Sequence, residues 1–135
     1  MNTVNQPSIS YAAAKRVIDA ALQAGKERDF PISVAVVDRG GWLVAFGRAD
    51  GGVPGGVDGA LGKAQSSAKF QDSLATFGKM AKDGQTWLGD LPGMIPLAGG
   101  EPLMVDGVCV GAVAVSGANE PVEQACAEAG AAVLR

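Results

Sequence analysis

The sequence predicts an α/β (α+β) fold, an antiparallel sheet of five strands flanked by helices, in a single domain over residues 1–135. Three observations predict it. Two pairs of apolar runs are joined by short glycine turns, Arg39-Gly40-Gly41 and Asp106-Gly107, which read as hairpins. The joined strands are apolar on both faces, so each must be covered twice, by helices or by another subunit. Segments with apolar columns four residues apart stand near both ends of the chain and read as helices. The order α-β-β-α-(α)-β-β-β-α is not that of a parallel βαβ series.

Residues 1–9 read as a flexible arm. Ser10 is placed to cap a first helix whose inner face is Ala13, Ala14, Val17, Ile18, Ala21, Leu22 and Gly25. That helix ends at Gly25 or at Arg28–Asp29, before Pro31. Ile32–Asp38 and Trp42–Arg48 form the first hairpin, with Trp42, Val44 and Phe46 on one face. After the glycine-rich loop 49–57, a second helix starts near Asp58 and turns Ala60, Leu61, Ala64 and Ala68 inward. Residues 72–91 give a weaker helical pattern broken at Gly78, Gly84 and Gly89. Met94–Leu97 reads as a short strand, and Leu103–Val105 with Val108–Ser116 as the second hairpin. A last helix starts near Pro121, a favoured first helical position, with the stripe Val122, Ala125/Cys126, Ala129 and Ala132/Val133.

Composition narrows the chemistry. The chain has 135 residues, 47% hydrophobic and 19% charged, with a net charge of −3, which is ordinary for one globular domain. The acidic balance and the lack of any basic run argue against nucleic acid. Histidine is absent, which removes Ser-His-Asp and Cys-His nucleophile pairs, His-ligated zinc and haem held by a proximal His. The two cysteines form no CxxC and are expected to be free core fillers, so no metal site is expected. The N-terminus lacks a signal-peptide pattern and the apolar run 108–115 is too short to span a bilayer, so a cytoplasmic protein with no membrane partner is expected.

Few motifs carry chemistry. GGVPGGVDGALGKAQ imitates a phosphate-binding P-loop, but Val57 stands at the first glycine position and Ala64 at the magnesium-binding Ser/Thr position. Gly99-Gly100-Glu101-Pro102 is more suggestive. Its backbone N–H groups suit a developing oxyanion and its carboxylate suits a general base; the alternative is a tight turn with a solvated Glu. Lys63, beside the inward Ala64, is a candidate anion holder, or else a solvated lysine. Arg48 and Asp50 flank the glycine loop, either gripping a carboxylate or pairing with each other.

The segments VAVVDRGGWLVAFGRADG (34–51), ALGKAQSSA (60–68), LAGGEPL (97–103) and GVCVGAVAVSGANEPVEQACAEAG (107–130) together resemble the GlcG/HbpS family. That family includes glycolate-cluster GlcG proteins, the secreted haem-binding HbpS and the C-terminal domain of PduO. The resemblance implies a profilin-like domain with helices on both sides of an antiparallel sheet, assembling as dimers or octamers. Some members are similar to haem or corrinoid binders, and others are implicated in tautomerase-like catabolism. This sequence departs from the pattern in lacking the first-helix His of PduO-like domains, in carrying Glu101 between the glycines and Pro102, and in carrying Glu123-Gln124 where a D-E pair is common.

The expectation is therefore cofactor-free proton transfer, of tautomerase, isomerase or lyase type, on a small anionic oxo- or hydroxy-acid. Glu101 would be the base, Lys63 or Arg48 the anion holder, and Gly99, Gly100, Asp50, Thr76 and Ser116 the substrate contacts. The alternative is a binder of haem, a corrinoid or another small molecule. Haem is disfavoured by the absence of His and would need Tyr11, a Met or Thr76 as ligand. A third alternative is a structural subunit of a catabolic assembly.

Overall fold

The structure is a computed structural model that describes residues 2–135. Its sheet contains β1 (Ser33–Asp38), β2 (Leu43–Arg48), β3 (Gly100–Val105) and β4 (Val108–Ser116), in the order β2-β1-β4-β3, with every neighbour antiparallel. The helices are α1 (Tyr11–Glu27), α2 (Gly55–Phe70), α3 (Leu74–Lys82) and α4 (Glu120–Ala131), with 3-10 turns at Thr86–Asp90 and Ala132–Leu134.

The sheet thus has four strands, not the expected five. Met94–Leu97 forms no strand, because its groups are used otherwise. Pro96 offers no N–H to a ladder. The Ile95 N–H is donated to Ser66 Oγ at 3.0 Å, and Met94 is buried with Leu74 and Leu88 in a small separate cluster.

The two faces of the sheet are covered differently. On one, α1 and α4 pack together over Val34, Val36, Val113 and Val115. On the other, α2 lays Ala60, Ala64 and Ala68 against Ala35, Val37, Ala112 and Ala114. Alanine on both sides of this second contact brings helix and sheet backbones close together. The central strands β1 and β4 are accordingly buried on both faces, as their apolar sequences require.

Local chemistry sets the boundaries. Ser10 Oγ accepts from the Ala13 N–H at 3.1 Å and caps α1, whose face is the expected one. Asp106 (φ 51°) and Gly107 (φ 76°) are both left-handed, as a tight hairpin requires. Asn119 Oδ1 accepts from the Val122 N–H and caps α4. Helix α2 starts at Gly55 rather than at Asp58; Pro54 supplies a preset helical φ, and Asp58 sits in the first turn where the helix dipole favours a carboxylate. Helix α3 runs through Gly78, which packs against the 96–98 segment instead of breaking the helix. It ends at Lys82, with Asp83 as its C-cap, just before Gly84 (φ 104°).

Two expected faces are shifted. The buried residues of α4 are Glu123, Cys126, Ala127, Gly130 and Ala131, about one position round from the predicted stripe, because Glu123 turns inward. A register shift between Val36 and Val37 leaves Trp42 outside β2 and 75% exposed. The arm is tied down in part: Arg39 donates from its backbone N–H to Ser8 Oγ and from Nε to Gln6 Oε1, and Ile9 N donates to Val110 O. Met1 lies outside the described residues. Both cysteines are free and buried. Among the described residues no helix is long and apolar enough to cross a membrane.

Candidate functional site

Lys63 is the centre of the most developed polar arrangement. It lies in the middle of α2 and is only 4% exposed. Its Nζ donates to Ala98 O at 3.0 Å and to Glu123 Oε1 at 3.1 Å. The other oxygen, Glu123 Oε2, accepts from the N–H groups of Gly117 and Ala118, both at 3.0 Å. One ion pair therefore ties together α2, the turn before β3, the loop after β4, and α4.

Glycine makes this approach feasible. Gly99 has φ 105°, and a Cβ there would lie 2.6 Å from Lys63 Nζ, so no other residue leaves the ammonium its place. Burial pulls the Lys63 pKa down, while the charge and hydrogen bond of Glu123 pull it up; burial is the larger effect.

The pair is at the wall of a cavity of about 330 Å³ lined by Gly59, Lys63, Ile95, Leu97, Ser116, Glu120 and Glu123. Ser116 is half-buried at the end of β4, with its side chain beside Gly59 of α2. Glu120 is paired with Lys82 of α3. The cavity so combines apolar walls, one cation, two carboxylates and a hydroxyl.

The other predicted site residues lie elsewhere. Glu101 is buried on β3, but its carboxylate accepts from the hydroxyl of Ser73, the residue that caps α3. It does not line the Lys63 cavity. The Gly99 N–H is donated to Gln124 Oε1 at 2.9 Å, and Gly100 sits in the ladder opposite Ala114. Arg48 and Asp50 are exposed and form no ion pair with each other among the described residues. Thr76 is exposed on α3. Of the predicted set, only Lys63, Gly99 and Ser116 gather at one place.

Glu123, the partner of Lys63, was singled out in the sequence only as a departure from a D-E pair. Nothing local marks it as inward-facing, since Val122 and Ala125 offer a more apolar helix face. The usable signal was the need of a buried lysine for a counter-charge.

Two further concavities lie along α1 and share Leu22, one facing β2 and the other facing the segments at 29–31 and 49–50. The first, about 420 Å³, is lined by Tyr11, Lys15, Ile18, Asp19, Leu22 and residues 44–47. The second, about 520 Å³, runs past Gln23, Lys26, Phe30, Pro31 and Asp50. Tyr11 is 62% exposed, with Lys15 Nζ lying 5.8 Å from its ring centroid. Among the described residues no group of three His, Cys, Asp or Glu is placed to hold a metal ion.

Comparison with known proteins gives a consistent result. The sequence-family model described as "Haem degrading protein HbpS-like" matches residues 9–132. Protein GlcG of Escherichia coli strain K12 is 32% identical over 108 residues, covering 80% of this chain and 81% of that protein. A crystal structure of a Streptomyces reticuli HbpS double mutant has a TM-score of 0.90 at 32% identity, covering 98% of this chain and 91% of that one. A crystal structure of a PduOC:haem complex has a TM-score of 0.84 at 17% identity, over 95% of this chain and 96% of that one, a likeness that speaks to the fold alone. The extent of the family match and the identity to GlcG carry the same conclusion: the chain belongs to the HbpS-like family.

Proposed function

We propose that the protein binds haem in the groove between α1 and β2. Membership of a family described by a haem-degrading protein supports this reading over a cofactor-free enzyme. The observation that carries it is Tyr11, an exposed phenol standing at the first turn of α1 over that groove. The donor set fits the group despite the absence of His, because a tyrosine oxygen is an established axial donor to haem iron. Ile18, Leu22, Val44 and Phe46 offer apolar contact to a porphyrin, and Lys15 and Lys26 are cations that can meet its carboxylates, although Asp19, Asp29 and Asp50 line the same surface. Bound haem would supply the iron chemistry; the chain's own residues hold and orient it.

Titrating the purified protein with haemin and following visible absorption tests this. A saturable, stoichiometric Soret shift that is lost in Tyr11→Phe is the expected result. A flat titration of the native protein overturns the reading.

A second reading has its own observation. The buried Lys63–Glu123 pair at a cavity wall favours cofactor-free proton transfer beside a carbonyl group, on an uncharged compound rather than on the anionic acid expected from the sequence. In this arrangement Glu123 already offsets the charge of Lys63, so the lysine serves better as a donor to a substrate oxygen than as a clamp for a carboxylate. Exchange of α-protons of small ketones, with oxo-acids of the same size beside them, in deuterated buffer and followed by NMR, tests it. Loss in Lys63→Met with retention in Glu101→Gln assigns the chemistry to the pair; loss in Glu101→Gln assigns it to Glu101.

A further inference from the structure

The geometry points to the Lys63 cavity as a binding site for a small, uncharged carbonyl compound, held through its oxygen by Lys63 and Ser116. The inference is independent of haem binding in the α1–β2 groove, since the two concavities share no lining residue.

The donor count comes first. An ammonium has three N–H groups. Ala98 O and Glu123 Oε1 take two of those on Lys63, which leaves one for an occupant of the cavity that Lys63 lines. Ser116 contributes a hydroxyl to the same cavity. Two donors lining one small cavity suit a single carbonyl oxygen.

Charge then decides the class. The lining side chains carry one cation, Lys63, and two carboxylates, Glu120 and Glu123. Lys82 offsets Glu120 from outside the cavity, and Lys63 is already matched by Glu123. An incoming carboxylate would meet no spare positive charge and two carboxylates nearby. A ketone, aldehyde or amide oxygen accepts the same hydrogen bonds without that repulsion.

Size and polarity complete the argument. Ile95 and Leu97 give apolar cover to the remainder of a ligand, and about 330 Å³ lies at the small end for a ligand site. Leu97 is half exposed at this wall, so a small molecule has a way in.

Acetophenone and benzoate have nearly the same shape and differ in charge, so they form the test. Saturation-transfer NMR would measure each against the native protein, without haem. Acetophenone is expected to bind, and benzoate to bind about tenfold more weakly or worse, the scale of the repulsion from a nearby carboxylate. Ser116→Ala should weaken acetophenone, and Leu97→Trp, a bulkier side chain at the cavity wall, should abolish it. Tyr11→Phe should leave it unchanged, which separates this site from the haem groove. Benzoate binding as tightly as acetophenone overturns the inference, as does no acetophenone binding or binding that survives Leu97→Trp.

Discussion

Lys63 and Glu123 are worth more together than apart. Removing the lysine alone leaves a buried carboxylate with two backbone donors but no counter-charge. Lys63→Met is therefore expected to cost about 3–5 kcal/mol, the range for breaking one side of a buried pair. Lys63→Met combined with Glu123→Gln should recover a large part of that loss, and urea unfolding of the four members of the cycle measures both. The pair also sets a pH dependence. The folded Lys63 pKa lies below its unfolded value of 10.5, so between the two the unfolded chain holds more protons. Stability should rise with pH across that window, and Lys63→Met should lose the slope. Cys126 acts in the opposite sense. Burial raises its pKa above 9.0, so above that pH only the unfolded thiol ionises and stability falls. The Lys63 slope is best read in a Cys126→Ala background. Neither thiol should react rapidly with a thiol reagent in the folded state, and both should react on unfolding, since Cys126 is fully buried and Cys109 nearly so.

Individual elements hold their places through close backbone contacts more than through side-chain bulk. In the central pair of strands a Cβ at Gly111 would lie 2.2 Å from Val37 O, a backbone atom that cannot move aside. Gly111→Ala should therefore disrupt the β1–β4 ladder, whereas Gly107→Ala, in an open turn with φ 76°, should cost only about 1 kcal/mol. Thermal unfolding followed by circular dichroism separates the two. Elements with a periodic signal were legible in the sequence. The stripe of α1, the Ser10 cap and the Asp106-Gly107 hairpin all stand where the pattern puts them. The segment 94–97 was not legible, because its apolar run serves a satellite cluster and its backbone bonds to Ser66 rather than to a strand. The inner face of α4 was misread for a related reason: one charged residue turned inward, and periodicity counts only apolar ones.

At the scale of the whole molecule, protection should follow layering. Strands β1 and β4 are covered on both faces, β2 is half-buried between exposed ends, and the 83–93 region is largely exposed. Hydrogen exchange should be slowest in β1 and β4 and fast over 83–93; comparable protection throughout would show that the layers do not dominate stability. Both hairpin turns stand at the same end of the sheet, since Asp38 pairs with Gly111, and exposed Trp42, Leu43, Met104 and Val105 lie at or next to them. The candidate site was hardest to foresee because it exists only at this scale. Ala98 and Glu123 reach Lys63 from 35 and 60 residues away along the chain, and no local pattern encodes that meeting.

The same long reach bears on how the chain acquires its structure. Helices α2 and α4 cover opposite faces of the sheet, and the Lys63–Glu123 bond joins them past the sheet's end, so it closes only after both have docked. A bond of that kind is expected to form on the downhill side of the folding barrier, which refolding and unfolding rates of Lys63→Met would check. Severing it should leave the refolding rate nearly unchanged and speed unfolding, so that the ion pair acts as a latch on the lifetime of the native state.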